Sequence, residues 1–368
     1  MINELLNTSI NCRSDISESI HSSYQHINNV DVYEKWMDYG FKDDYSNVNL
    51  IAVDGSLNCS RFVIGDVYAL SSHVLYNNYE KTEYLKSLNE VVFIPSSQDT
   101  YSKVINKQMN VMELKCILDG LNTKDIDYVL LDGDLHSTLN HIAAGVRTSM
   151  MNEDYIKSLT EDISIDCGDD DYELPTIHEI LENIPDSRNN SKYDYLMYCL
   201  MIEQLCIIYG ILNKFSHKII SISKTSHGHS LYNYDLSDRA IIEIFTSNSG
   251  YSKEYKNDDN RFRIHTPFDV KYSEYPLYDE FLSKVVFTNR FVRLTDMASP
   301  LKVQLAYDAS EDEFLDVLSM LKSISLTSTG YPVILKKVHD DVKISNKKMN
   351  NIIRNMGLNN FKQERNVV

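Results

Sequence analysis

The chain has a single tryptophan among its 368 residues, with only seven prolines and twelve glycines. Such scarcity excludes collagen-like, low-complexity and linker-rich chains. Long uninterrupted apolar runs are also missing. The best candidate, residues 193–215, is broken by Asp194, Glu203 and Gln204, which predicts a buried core helix rather than a membrane span. The six cysteines (Cys12, Cys59, Cys116, Cys167, Cys199 and Cys206) include no CxxC pair and no zinc-finger spacing with histidines. Reduced thiols in a cytosolic protein are expected. The N-terminal "MINELLNTSINCRSD" has no basic start, apolar stretch or small-residue cleavage site, so the expected location is cytoplasmic, with no membrane. Positive charge is in deficit too: 36 Lys and Arg stand against 53 Asp and Glu, a formal charge of −17. That excludes a generic basic nucleic-acid coat. It leaves room for a local basic channel, because net charge says nothing about distribution.

What is present is enough apolar residue, 43%, for a folded core. The length suits one elaborated domain or two. Residues 14–38 have helical spacing, with Ile16, Ile20, Tyr24, Ile27 and Val30 as an apolar stripe, and predict an N-terminal helical arm over residues 1–45. Three strand-like runs follow at 47–56, 61–76 and 90–95, then a helix over 102–121. A strand over 127–133 and a helix from 135 come next. Residues 152–192 are polar and acidic and read as an insertion, its block "EDISIDCGDDDYE" being a solvated loop without EF-hand spacing. Beyond it lie a strand at 218–226 and a helix over "LSDRAIIEIFTS", with Ser237 as its N-cap. Strands at 285–294 and 301–307 precede helices over 310–325 and 330–345, and residues 346–368 form a C-terminal helix or tail. The order of three strands, helix, strand, helix, strand, helix predicts an α/β fold: an RNase H-like mixed sheet flanked by helices.

Two apolar runs end on the same dipeptide, "IAVDGSLN" at 51–58 and "VLLDGDLH" at 129–136. Singly, Asp-Gly is turn punctuation. In an RNase H-like sheet the first and fourth strands lie side by side and parallel, so Asp54 and Asp132 approach at one edge. Paired carboxylates repel unless a cation sits between them, and hard oxygen ligands suit magnesium or manganese. Glu113, on the intervening helix, is placed to point toward that edge. Lys224 ends the next strand on the same side, where a lysine anchors a phosphate or a developing charge. His339 is a candidate general acid or base. Asp134 is read as the cap of the helix it opens. A serine hydrolase built on Ser56 is excluded by the absence of a nucleophile elbow.

In order along the chain, "IAVDGS", "LLDGDL", "IISISKTS", "FTNRFVRL", "PLKVQLAY" and "GYPVILKKVHDDVKIS" resemble the NurA nucleases over about residues 48–345. The closing block favours that family over Argonaute-type slicers and resolvases. The resemblance implies a manganese-dependent RNase H-like nuclease domain, here residues 46–345. It also implies action on single-stranded DNA and DNA ends, as single-strand endonuclease and 5′-to-3′ exonuclease, in double-strand break end resection. It further implies a homodimer working with a hexameric HerA-type translocase. By the same resemblance Asp54, Glu113 and Asp132 match the metal-binding carboxylates, Lys224 the family lysine, His339 the late histidine and Asp238 an additional acidic position. The second motif departs from the pattern, with Asp134 where a serine commonly follows the glycine. Lys302 stands where the family has an arginine, and lysine loses bidentate phosphate contact. If DNA passes through a dimer channel, Lys224, Arg290, Arg293 and Lys302 are the cations expected to line it. The alternative is a non-catalytic DNA-binding scaffold on the same fold.

Overall fold

A computed structural model describes residues 2–42, 48–78, 80–95, 99–142, 190–255 and 285–358. Most of the expected acidic insertion and Cys167 lie outside these residues, as do the end of the helix expected from 135 and the last ten residues.

The chain opens with three helices, α1 (Ile2–Asn11), α2 (Arg13–Tyr24) and α3 (Asn29–Lys35), then a short strand β1 (Trp36–Asp38). The expected single helix over 14–38 is therefore corrected: it breaks after Tyr24 and its last three residues join a sheet edge. Next come three long strands, β2 (Leu50–Phe62), β3 (Gly65–Asn77) and β4 (Thr82–Pro95), and helix α4 (Asp99–Thr123). Strand β5 (Tyr128–Asp132) is followed by α5 (Leu135–Asn140), α6 (Asn190–Phe215) and β6 (Ile219–Ser223). Helix α7 (Asp238–Phe245) precedes β7 (Gly250–Ser252), β8 (Thr288–Arg293) and β9 (Leu301–Leu305). Helices α8 (Glu311–Ser323), α9 (Val333–Val342) and α10 (Asn346–Asn355) close the described chain.

All nine strands form one sheet in the order β1-β7-β8-β9-β6-β5-β2-β3-β4. Strands β2, β3 and β4 are antiparallel neighbours, while β5 runs parallel to both β2 and β6. This is the expected arrangement of three antiparallel strands followed by parallel ones. The edge strand β1 and its neighbour β7 were not expected; three residues each are too few to show a period of two.

The two faces of the central strands explain their unbroken apolar runs. Alternate residues point to opposite faces. Ile51, Val53, Val129 and Ile219 join one core cluster with α4 and α6, and Leu50, Ala52, Leu130 and Ile220 join a second with α8 and α9. With both faces covered, every position is apolar. Residues Lys192–Lys218 are the one described helical stretch long and apolar enough to cross a membrane, and nearly all of it is buried here. Its Gln204 is met by the Lys107 ammonium at 2.9 Å, which satisfies a polar group inside the core.

A third cluster seats the N-terminal segment. Ile27, Val32 and Trp36 pack with Ile241, Ile242 and Phe291. Ile16, Ile20 and Val30 remain exposed, as do Leu5, Leu6 and Ile10, so the expected apolar stripe does not bury as a unit. The expected ends of the first strands also move. β2 does not turn after Asp54 but continues eight residues further to Phe62, and the turn to β3 falls at Val63 and Ile64. Only its first four residues, Leu50–Val53, pair with β5. One side of β2 is therefore unpaired with β5 from Asp54 onward.

Candidate active site

That change of pairing makes the site. Strand β5 ends at Asp132, and its register puts Val53 beside Leu131, so Asp54 and Asp132 are the next positions on adjacent parallel strands. Asp54 and Gly55 belong to a strand whose neighbour on that side has stopped. Glu113 on α4 enters this gap close to the Gly55 backbone N–H, which favours its ionised form. A Cβ on Gly55 would stand 2.3 Å from Glu113 Oε1 and 3.0 Å from Met109 Cγ. The glycine is thus required by close approach rather than by a turn. Gly133, by contrast, has φ of +143° and nothing within 4 Å of its missing Cβ; there the backbone conformation requires glycine.

Burial dominates the electrostatics of the pair. It pushes Glu113 up to about 8, with the Asp54 charge adding to the rise, the Gly55 N–H pulling back and the Asp132 charge adding again. Asp54 is also raised, mainly by burial, against the opposing pull of His339 and the Gly55 N–H. Carboxyl groups that are close, partly desolvated and resisting ionisation mark a place where charge chemistry is prepared. A cavity of about 160 Å³ opens beside them, lined among others by Asp54, Glu113, Asp132, Asp134, Thr138 and Ser221. Ser221 Oγ is buried there without a hydrogen-bond partner.

Lys224 and His339 reach the same carboxylates. His339 Nδ1 lies 2.6 Å from Asp54 Oδ2, and Lys224 Nζ lies 2.9 Å from Asp132 Oδ2. The Lys224 ammonium also sits 4.2 Å from the centre of the Tyr331 ring, a cation–π contact that adds to its placement. Tyr331 was not singled out from sequence, although it lies in the quoted "GYP" block. Its buried hydroxyl faces Asp132 without a well-formed hydrogen bond. Burial first, and the Asp132 charge second, push its ionisation far up.

Asp134 caps α5 as expected: its Oδ1 accepts from the Ser137 backbone N–H at 2.8 Å. Its other oxygen receives the Lys302 ammonium at 2.6 Å. Burial would raise Asp134, but the Lys302 charge and hydrogen bond outweigh it and hold the carboxyl below its usual range.

Three expected DNA-lining cations are corrected. Lys302 is buried and committed to Asp134. Arg290 is buried and forms a two-pronged pair with Glu311, with Oε1 at 3.1 Å. Arg293 is 2% exposed and donates to the carbonyls of Ala298, Ile242 and Thr246. A charge already paired and desolvated offers nothing to a phosphate without breaking those bonds. Asp238 likewise stands apart from the carboxylate group. It is buried at the start of α7 and accepts from the backbone N–H groups of Leu231 and Tyr232, both at 2.9 Å. Its role is to fix the loop before its helix.

Among the described residues, no group of three or more His, Cys, Asp or Glu side chains stands in an arrangement ready to grip an ion. The donor chemistry fits a hard divalent cation nonetheless: oxygen ligands only, facing one cavity, one of them holding a proton at neutral pH that a cation would replace.

The family described as NurA domain matches residues 48–344. A Methanocaldococcus jannaschii protein named probable DNA double-strand break repair nuclease NurA is 27% identical over 342 residues, 89% of this chain and 83% of its own. The Sulfolobus acidocaldarius DNA double-strand break repair nuclease NurA is 24% identical over 347 residues, 94% of this chain and 89% of its own. The crystal structure of the NurA nuclease from Sulfolobus solfataricus shares the fold, with a TM-score of 0.74 at 22% identity over 97% of each chain. A crystal structure of NurA bound to dAMP and manganese does so at a TM-score of 0.63 and 17% identity, covering 95% of this chain and 97% of its own.

Proposed function

The chain belongs to the NurA family, and on that premise we propose that it is a metal-dependent deoxyribonuclease of double-strand break repair, acting on single-stranded DNA and DNA ends. The observation that carries the proposal is the convergence of Asp54, Glu113 and Asp132 on one cavity, with Glu113 pushed up to about 8. Asp54, Glu113 and Asp132 would hold the cation, which would supply Lewis acidity and lower the pKa of a bound water. Manganese is favoured, since a related NurA structure contains it. Magnesium satisfies the same donors.

The chain's own residues have separable tasks. Lys224, almost half exposed beside Asp132, offers its ammonium to a non-bridging phosphate oxygen. His339, bonded to Asp54, is placed to hold or pass a proton at Nδ1. The cation–π contact with the ring of Tyr331, itself buried, restricts where that ammonium can go. The proposal extends to a homodimer with a HerA-type hexameric translocase, a cytoplasmic location, and a nuclease unit over residues 46–345, which the family match to 48–344 supports.

The test is cleavage of 5′- and 3′-labelled single strands with manganese, with magnesium and with chelator. Metal-dependent cleavage that Asp54→Ala abolishes, with the fold retained, is the expected outcome. Binding without cleavage under all three conditions would replace the enzyme by a scaffold.

A further inference from the structure

Three of the four cations expected to grip DNA lie inside the protein, yet a second set lies outside. From Val342 to Leu358 the sequence holds Lys343, Lys347, Lys348 and Arg354 and no carboxylate, in a chain of net charge −17. All four are exposed, and none stands within ion-pair distance of a carboxylate among the described residues. We propose that the corner between α9 and α10 is a phosphate-binding track that leads a single strand of DNA into the carboxylate site.

Three observations support it. The first is position. The backbone N–H of Ile344 donates to Ser56 Oγ at 2.9 Å, and Asn58 Nδ2 donates to the Ile344 carbonyl at 2.8 Å and to Asn346 Oδ1 at 3.2 Å. Ser56 and Asn58 lie two and four residues past Asp54 on β2, about 7 and about 13 Å along the strand. The corner is thus pinned to the strand that carries the first carboxylate. Lys343 lies near enough to Asp340, the neighbour of His339 in sequence, for its charge to help hold that carboxyl below its usual range, behind the larger effect of the Lys336 hydrogen bond. Lys348 acts on His73, the residue opposite Asp54 in the β2–β3 pair.

The second observation is a local rule broken with one internal contact behind it, the Lys348 ammonium donating to the Lys343 carbonyl at 2.9 Å. Helix N-termini favour acids and disfavour cations. Helix α8 obeys, with Glu311, Asp312 and Glu313 in its first turn and a full capping box. Helix α10 places Lys347 and Lys348 in its first turn and no acid there. Two lysines at the positive end of a helix cost stability, and no carboxylate among the described residues offsets them. A polyanion passing over the corner would.

The third observation is how α10 is seated. Met349 and Ile353 bury against Phe62, Val67 and Ala69 on the far ends of β2 and β3, which turns the charged face outward. This helix lies beyond the family match, which stops at residue 344. Charge complementarity selects its occupant: a run of phosphates, read by charge and not by sequence.

The inference rests on the nuclease reading, and its test separates the two. Binding of a fluorescein-labelled single-stranded oligodeoxynucleotide is followed by anisotropy in chelator, across a salt series, for the full chain and for Lys343→Ala/Lys347→Ala/Lys348→Ala. Loss of three phosphate contacts predicts that the slope of log K against log salt falls by about 2. In the cleavage assay with manganese, KM should rise by more than kcat falls. Removing first-turn cations relieves α10, so melting at or above the parent's temperature is expected. Lys81→Ala/Lys86→Ala, on exposed lysines already paired with Glu83 and Asp119, should leave binding as it was. A triple variant with the parent's affinity and salt slope overturns the track while leaving the nuclease reading untouched. So does an equal loss in the control pair. A parent that binds with the predicted slope change but never cleaves upholds the track and refutes the nuclease reading.

Discussion

The two Asp-Gly pairs look alike in sequence and do different work. At Asp54-Gly55 the strand runs on, and the missing Cβ makes room for Glu113, whose Oε1 lies 2.3 Å from where that Cβ would be. At Asp132-Gly133 the strand stops, and the glycine supplies a φ of +143° in open space. The first glycine admits a side chain, the second bends the backbone. The aspartates differ as well, one tied to a histidine and the other to a lysine. They serve one cavity because β2 and β5 are parallel neighbours in register. The lesson is that a dipeptide repeated in a sequence need not be a structural repeat; its meaning is set by what stops or continues beside it.

That contrast can be broken most sharply at the first glycine. Gly55→Ala forces Glu113 to move, and displacement of a positioned group by about 1 Å can cost about 100-fold in rate. Cleavage by Gly55→Ala should fall by about that factor, with the melting temperature changed far less than the rate. A near-parental rate would mean that Glu113 need not stand where it does.

A second test concerns the proton on Glu113. Its folded pKa is about 8 against 4.5 for a free side chain, so the native state binds the proton more tightly than the unfolded chain. Stability from this group falls as pH rises from about 4.5 through about 8, and below that window the group contributes no change. Without metal, Glu113→Gln should therefore be more stable than the parent at neutral pH, by on the order of 3 kcal/mol. The gain should vanish near pH 4. Denaturant titrations at a series of pH values in chelator check it; equal pH dependence of the two proteins would remove Glu113 from the buried, protonated role.

The smallest effect is expected at the second glycine. Gly133→Ala meets no atom but must adopt an unfavourable φ, a strain of about 1–2 kcal/mol. A modest drop in melting temperature with a rate within a few-fold of the parent would sharpen the contrast. A loss of activity as large as that of Gly55→Ala would erase it.

Much of this was legible beforehand. The five central strands and their order follow from apolar runs that both faces of a sheet require, and α4 from its helical period. Asp54, Glu113, Asp132, Lys224 and His339 do meet at one edge, since topology brings them there. What the sequence hid was the fate of charges. Arg290 in "TNRFVR" and Lys302 in "LKVQL" alternate with apolar residues as solvent-facing cations would. Helices cover both faces here, and the partners that make their burial tolerable, Glu311 and Asp134, lie far along the chain. Nor does local pattern tell that β2 outlasts β5; only the pairing register does. The lysines at the start of α10 were readable as a breach of the helix-dipole preference, on a helix that Ser345 caps normally.

The most direct measurement is manganese uptake, read as loss of the free-ion electron paramagnetic resonance signal, by the parent and by Asp54→Asn, Glu113→Gln and Asp132→Asn. Three carboxylates sharing one cation predict saturable uptake by the parent and binding weakened by at least about 10-fold in each variant. Uptake by all three variants equal to the parent's would contradict the central claim that these residues form the metal site.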